Sequence, residues 1–178
     1  SWTSRSWNAA AALYKDRDLL VQEYPGDADY IAHFNNVLPA FKDHRYITVG
    51  GKPLFVVFRP QDIPDFMHFK DLWNNLAVQN GLEGVHFVGR AIGRETEFLS
   101  GLECGCDAIT IENQWTAQLK AQGSYVKYGI LRKLRKHFPR LAPLDTYKYK
   151  DIIANWFTEY DSLENCYPTI IPNFDRSP

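Results

Sequence analysis

The sequence is poor in cysteine and has a single methionine, Met67. Three cysteines, Cys104, Cys106 and Cys166, are an odd set without framework spacing, which excludes a disulfide scaffold. Cys104 and Cys106 form C-x-C rather than C-x-x-C, and no His follows at a zinc spacing. The thiols are expected to be small buried or half-buried side chains. They fit a reducing compartment, so the expected localisation is cytoplasmic. The His residues, at 33, 44, 68, 86 and 137, show no metal-ligand pattern, and neither a metal nor a cofactor is expected. His86, inside a predicted strand, reads as a satisfied core residue. No signal peptide or transmembrane run occurs. An excess of one charge is also absent: 20 Lys and Arg balance 21 Asp and Glu, a net charge of -1, so no overall pull toward nucleic acid or an anionic membrane exists. Neither G-x-G-x-x-G nor G-x-x-x-x-G-K-[ST] is present, so a phosphate cradle lacks its motif.

What the chain does have is core material. Hydrophobic residues make up 45% of its 178 residues, enough for one domain or a large part of one. Aromatic residues make up 15%, a share that suits both a packed core and the flat C–H faces of sugars. Most of these rings are expected in the core or at its edge.

Residues 2–8 lack periodicity and read as a loop. Leu19, Leu20 and Val21 form a short apolar piece followed by Gln22 and Tyr24, and Pro25-Gly26 breaks the chain. Asp27 to Lys42 reads as a helix, with Asp27 as its cap, Ile31, Phe34, Leu38 and Phe41 on one face, and Pro39 near its end. After a turn at Gly50-Gly51, the run Leu54 to Phe58 reads as a strand buried on both faces. Asp62 to Asn80 reads as the clearest helix, stopped by Gly81. Val85 to Val88 and Ala108 to Ile111 read as strands around a helix near Glu95 to Leu102. Beyond Ala108 the loops are expected to be long. A basic amphipathic helix is expected near Ile130 to Leu134, another helix over Tyr147 to Phe157, and a fourth strand at Thr169 to Ile171. The basic helix reads as a solvated face, with contact to a membrane or an acidic glycan as its alternative.

Apolar strands alternating with amphipathic helices point to βα units, a parallel sheet and a (β/α)₈ TIM-type barrel. About four strands are legible, whereas a closed barrel needs eight. The chain begins Ser-Trp-Thr and ends on Asp175-Arg176-Ser177-Pro178 straight after an apolar run, so residues 1–178 are expected to be an internal piece cut at both ends.

Several segments carry a family resemblance. They are Trp2-Thr3-Ser4-Arg5-Ser6-Trp7, Leu19 to Gln22, Ala40-Phe41-Lys42-Asp43-His44-Arg45-Tyr46-Ile47 with Gly51-Lys52-Pro53-Leu54-Phe55, and Tyr167-Pro168 to Asp175. In this order they resemble the WbsX-type domain, which is related to glycoside hydrolase family 99 and occurs with polysaccharide and lipopolysaccharide (O-antigen) biosynthesis proteins. Asn173-Phe174-Asp175-Arg176 stands where that family commonly has Gly-Trp-Asp-Asn. The resemblance implies a (β/α)₈ barrel and an enzyme that cleaves or transfers glycosyl groups. It also implies that the main acidic residues lie before Ser1 and after Pro178, leaving this segment alone inactive. A glycosidase needs two carboxyl groups flanking the scissile bond.

Residues that end strands are the candidates for sugar contact. Trp2 and Trp7 could stack on a ring and Arg5 could donate to hydroxyls; the alternative is a packed loop. Gln22 and Tyr24 have either role. Arg59 and Arg90 follow apolar strands and suit a ligand or a neighbouring carboxylate. Glu112 is the one carboxylate ending a buried strand, a candidate for acid chemistry or for an ion pair. Asp175 belongs to the family-like terminal motif. Asp43, Arg45 and Tyr46 precede a strand and read as structural. The expected partner is an oligosaccharide or polysaccharide. The rivals are a non-catalytic glycan-binding or scaffold domain, and an α/β domain binding phosphorylated or nucleotide ligands through Arg59 and Arg90.

Overall fold

The computed structural model describes residues 7–8, 18–92, 95–121, 123, 126, 129–131, 133–134, 138 and 147–170. The chain divides into two compact units, Ser1–Thr110 and Ile111–Pro178.

In the first unit, β1 (Trp7–Asn8) and β2 (Asp18–Leu20) pair antiparallel, so Trp7 belongs to a strand rather than a loop. Helix α1 (Asp27–Phe41) matches the expected span. Its cap position falls on Gly26 at φ 104°, not on Asp27. Asp27 occupies the first turn, where a carboxylate meets the positive end of the helix dipole, and accepts a 2.7 Å hydrogen bond from His68 Nε2. Tyr30, Phe34 and Phe41 are the buried face, and Ile31 is exposed. Pro39 lies inside the helix two residues before its end and removes one backbone donor from the last turn.

Gly50 and Gly51 both take positive φ, 54° and 77°, the backbone that a tight hairpin demands. They fold β3 (Thr48–Val49) back antiparallel onto β4 (Lys52–Val57). The sheet is therefore mixed, not wholly parallel as expected. β4 and β5 (His86–Ala91) do pair in parallel, from Leu54 opposite His86 to Val57 opposite Gly89, and β6 (Ala108–Ile111) follows on the other side of β5. In β4, Pro53, Phe55 and Val57 are buried while Leu54 and Val56 are half-buried, an alternation rather than burial on both faces.

Helix α2 (Phe66–Gln79) starts four residues later than its apolar period suggests. Pro64 disfavours helical backbone at Ile63, and Pro60–Asp62 forms a separate 3₁₀ turn. Asp65 then takes a left-handed conformation, φ 47°, and its carboxylate accepts from His68 N at 3.1 Å to cap α2. Trp73 of α2 is fully buried, its ring centroid 4.8 Å from those of Phe55 and Phe69 and 5.4 Å from Phe34. Its indole N–H reaches Tyr30 O at 3.0 Å, so the largest core ring leaves no buried donor unpaired. Helix α3 (Glu95–Glu103) follows, as expected. A side chain on Gly101 would collide with Ile109 of β6, so the glycine sets how closely α3 approaches the sheet. Asp107 clamps the start of β6: it takes Phe87 N at 2.8 Å and Lys70 Nζ at 2.7 Å.

In the second unit, helix α4 (Gln114–Ala121) occupies a stretch expected to be loop. Only Ala117 and Leu119 are buried, too few for an apolar period to declare itself. The helical residues near Ile130 to Leu134 agree with the sequence reading. The later helix is confined to Tyr149–Ile153 and gives way to a turn through Trp156, whose indole donates to Thr169 O at 2.8 Å. Strand β7 is Cys166–Pro168, with Cys166 buried, and it stops before Thr169 and the exposed Ile170 of the expected strand, whose third residue, Ile171, lies outside the described residues.

Candidate functional site

Parallel pairing brings the C-terminal ends of β4 and β5 side by side, with Val57 opposite Gly89. Phe58 lies just beyond the first and Arg90 is the penultimate residue of the second, since β5 continues past the expected Val88. The Arg90 guanidinium stacks over the Phe58 ring, 4.4 Å from its centroid. That contact sets the plane of the guanidinium against the ring. Arg59 pairs with Asp62 through Nε and Oδ2 at 3.1 Å. In the same turn, the buried Oε1 of Gln61 has no hydrogen-bond partner among the described residues. Gln61 was not anticipated, because nothing in a Pro-Gln-Asp sequence distinguishes it from an ordinary turn.

Gln22 and Tyr24 lie half-buried between β2 and α1, and Gln22 Nε2 donates to Glu23 O at 3.0 Å. Trp2, Arg5 and Asp175 lie outside the described residues, as does the side chain of Trp7.

The second unit has its own polar cluster. Glu112 and Asn113 follow β6, and Asn113 is 2% exposed, the one buried polar side chain among the described residues. Its Nδ2 donates to Asp161 Oδ2 at 3.2 Å. The same oxygen accepts from Thr158 N at 2.6 Å and Thr158 Oγ1 at 2.9 Å, closing a capping box. Asn113 O meanwhile accepts from Ala117 N at 2.8 Å and starts α4. One residue thus ends a strand, opens a helix and anchors a distant turn, which holds half-buried Glu112 beside it. Trp115, 46% exposed in the first turn of α4, supplies a ring face in the same segment. Sequence reasoning selected Glu112 but missed Asn113, Thr158 and Asp161. The polar pair at a strand end was the available signal; the 48-residue separation of Asn113 from Asp161 was not.

An open hollow of about 540 Å³ lies elsewhere, lined by Lys42, Asp43, His44, Tyr46 and Asn80 among others. It sits at the N-terminal end of β4, the face that serves stability in βα folds. The groups there satisfy one another. Arg45 grips Asp43 through Nε at 3.0 Å and Nη2 at 2.7 Å, which holds the Asp43 carboxyl below its usual range and raises the guanidinium. Tyr46 donates to Leu54 O at 3.1 Å, and burial pushes its phenol up. Asp43 and Arg45 thus hold each other, and Tyr46 holds the backbone of β4. The cysteines are free; burial pushes Cys106 up to about 12 and Cys166 up to about 11, so neither is a thiolate near neutral pH.

Comparison with known proteins now bears on this geometry. The family model described as Glycosyltransferase WbsX matches residues 1–178. The chain belongs to the WbsX glycosyltransferase family. Two proteins named WxcX, from Xanthomonas campestris pv. campestris strain B100 and a second strain of that pathovar, are each 26% identical to this WbsX-family chain over 87 residues. The matched stretch covers 49% of this chain and 12% of each relative. No solved structure matches.

Proposed function

We propose that this WbsX-family chain is the middle of a (β/α)₈ barrel in a carbohydrate-active enzyme that transfers or cleaves glycosyl groups in polysaccharide or lipopolysaccharide metabolism. The observation that carries the reading is the WbsX family match over the whole chain. The strand-end chemistry supports it. A stacked guanidinium at Arg90, an exposed ring at Trp115 and a carboxylate at Glu112 are the groups that meet sugar hydroxyls and C–H faces. Trp2, Arg5, Trp7, Gln22, Tyr24, Arg59 and Asp175 complete the proposed binding set, with the principal acids in flanking sequence.

The test is turnover by the full-length protein on nucleotide-sugar donors and on a panel of oligosaccharides, including mannose-containing and O-antigen glycans. Replacing Arg90 by Ala is expected to weaken substrate binding roughly tenfold or more, as loss of a charge-assisted hydrogen bond does. Glu112→Gln is expected to lower kcat or raise KM without changing the circular dichroism spectrum. Activity unaltered by both variants, and by Gln in place of the flanking Glu residues, would refute the assignment. Glycan binding without turnover would identify a scaffold domain instead.

A further inference from the structure

The stretch from Asn113 to Leu144 contains seven Lys or Arg residues and no Asp or Glu, in a chain whose net charge is -1. Its helical part presents an unusual surface. Val126, Ile130, Leu134 and Phe138 are spaced four apart and are 71%, 54%, 42% and 55% exposed. Phe138 N donates to Leu134 O at 2.7 Å, which ties the two residues together. A four-residue step turns a helix by only about 40°, so the helical residues Ile130 and Leu134 share one face. Ile130, Lys133, Leu134 and Phe138 border a shallow hollow of about 260 Å³. Single exposed apolar residues are ordinary, but a contiguous row of them is a contact surface.

We propose that this helix seats on an anionic lipid surface. The apolar residues enter the boundary between headgroups and acyl chains, and Lys133 beside them, with the other ammonium and guanidinium groups of the stretch, meets lipid phosphates. Charge and chemistry together select the occupant. A second copy of this chain would bring the same positive stretch against itself. An acidic polysaccharide would satisfy the cations but offers no apolar phase for Val126, Ile130, Leu134 and Phe138. Among the described residues no helix is long and apolar enough to cross a membrane, so the contact is peripheral.

The experiment is flotation of the full-length protein with vesicles of phosphatidylcholine, alone or mixed with phosphatidylglycerol in a roughly two-to-one ratio. Binding to the anionic vesicles is expected to be about tenfold tighter, and to weaken as salt shortens the screening length. The I130S/L134S/F138S variant should lose about tenfold on anionic vesicles. Because those side chains are already exposed, its circular dichroism should match the parent. K120Q/K133Q keeps the apolar row and should lose a few-fold, with a shallower salt dependence. Equal affinity for both vesicle types, no binding to either, or unchanged binding by both variants would overturn the proposal. So would a concentration-dependent dimer that the triple substitution abolishes, or capture by an acidic polysaccharide without capture by vesicles.

Discussion

At the scale of single residues, the informative groups are those whose partners are far away in sequence. His68 and Asp27 lie 41 residues apart and join α2 to α1 at 2.7 Å. The hydrogen bond to Asp27, then its charge, raises the His68 pKa above 6.5. The stabilisation is therefore fully present below about pH 6.5 and disappears as pH rises through the raised value. His33 and His86 behave oppositely, because burial lowers both. Their neutral forms favour the fold above about pH 6.5, and that contribution falls away as they are forced to charge at lower pH. An NMR titration should place the His68 imidazole above its ordinary value and return it toward 6.5 in Asp27→Asn, with His33 and His86 unmoved. A His68 curve indifferent to that substitution would show that the link does not persist in solution.

At the scale of elements, glycine decides spacing. Gly101 lies inside α3, where alanine ordinarily favours a helix by about 1 kcal/mol. Here a Cβ would strike Ile109 of β6. Gly101→Ala is accordingly expected to destabilise the protein by about 1–3 kcal/mol, the usual cost of overpacking, read from the urea midpoint at unchanged m. A stabilised variant would mean that α3 can move away from the sheet freely. The hairpin at Gly50-Gly51 and the late start of α2 follow the same logic of local backbone. Paired positive φ values fold β3 onto β4, and Pro64 postpones a helix whose apolar period begins earlier.

At the scale of the whole molecule, stability concentrates in one aromatic cluster of the first unit, around Trp73, while charge concentrates in one stretch of the second, from Asn113 to Leu144. Trp73→Ala removes the ring that Phe34, Phe55, Phe69 and Phe87 share. A loss of about 3–5 kcal/mol is expected, a large part of a typical domain's stability, seen as a lower melting temperature and weaker amide protection in α1 and α2. Retention of the parent's melting temperature would contradict the packing. The basic stretch has a divided character: it buries Asn113, Ala117 and Leu119 near its start and exposes Val126, Ile130, Leu134 and Phe138 beyond them.

The amino-acid pattern by itself determined the succession of strands and helices from Asp27 to Ile111 apart from β3 and the 3₁₀ turn, because apolar spacing reports which side of an element is buried. Resemblance in short motifs also sufficed to place the chain in the WbsX family. Tertiary structure alone decided that the sheet is mixed, since the antiparallel β3–β4 hairpin depends on two backbone conformations that composition permits but does not compel. It alone decided that Arg59 is paired with Asp62, that Arg90 rests on Phe58, and that Asn113 is held by Asp161 and Thr158. A strand-end position tells which residues can face a ligand. Which of them are held by neighbours depends on side chains meeting across the fold, and distance along the chain carries no record of that.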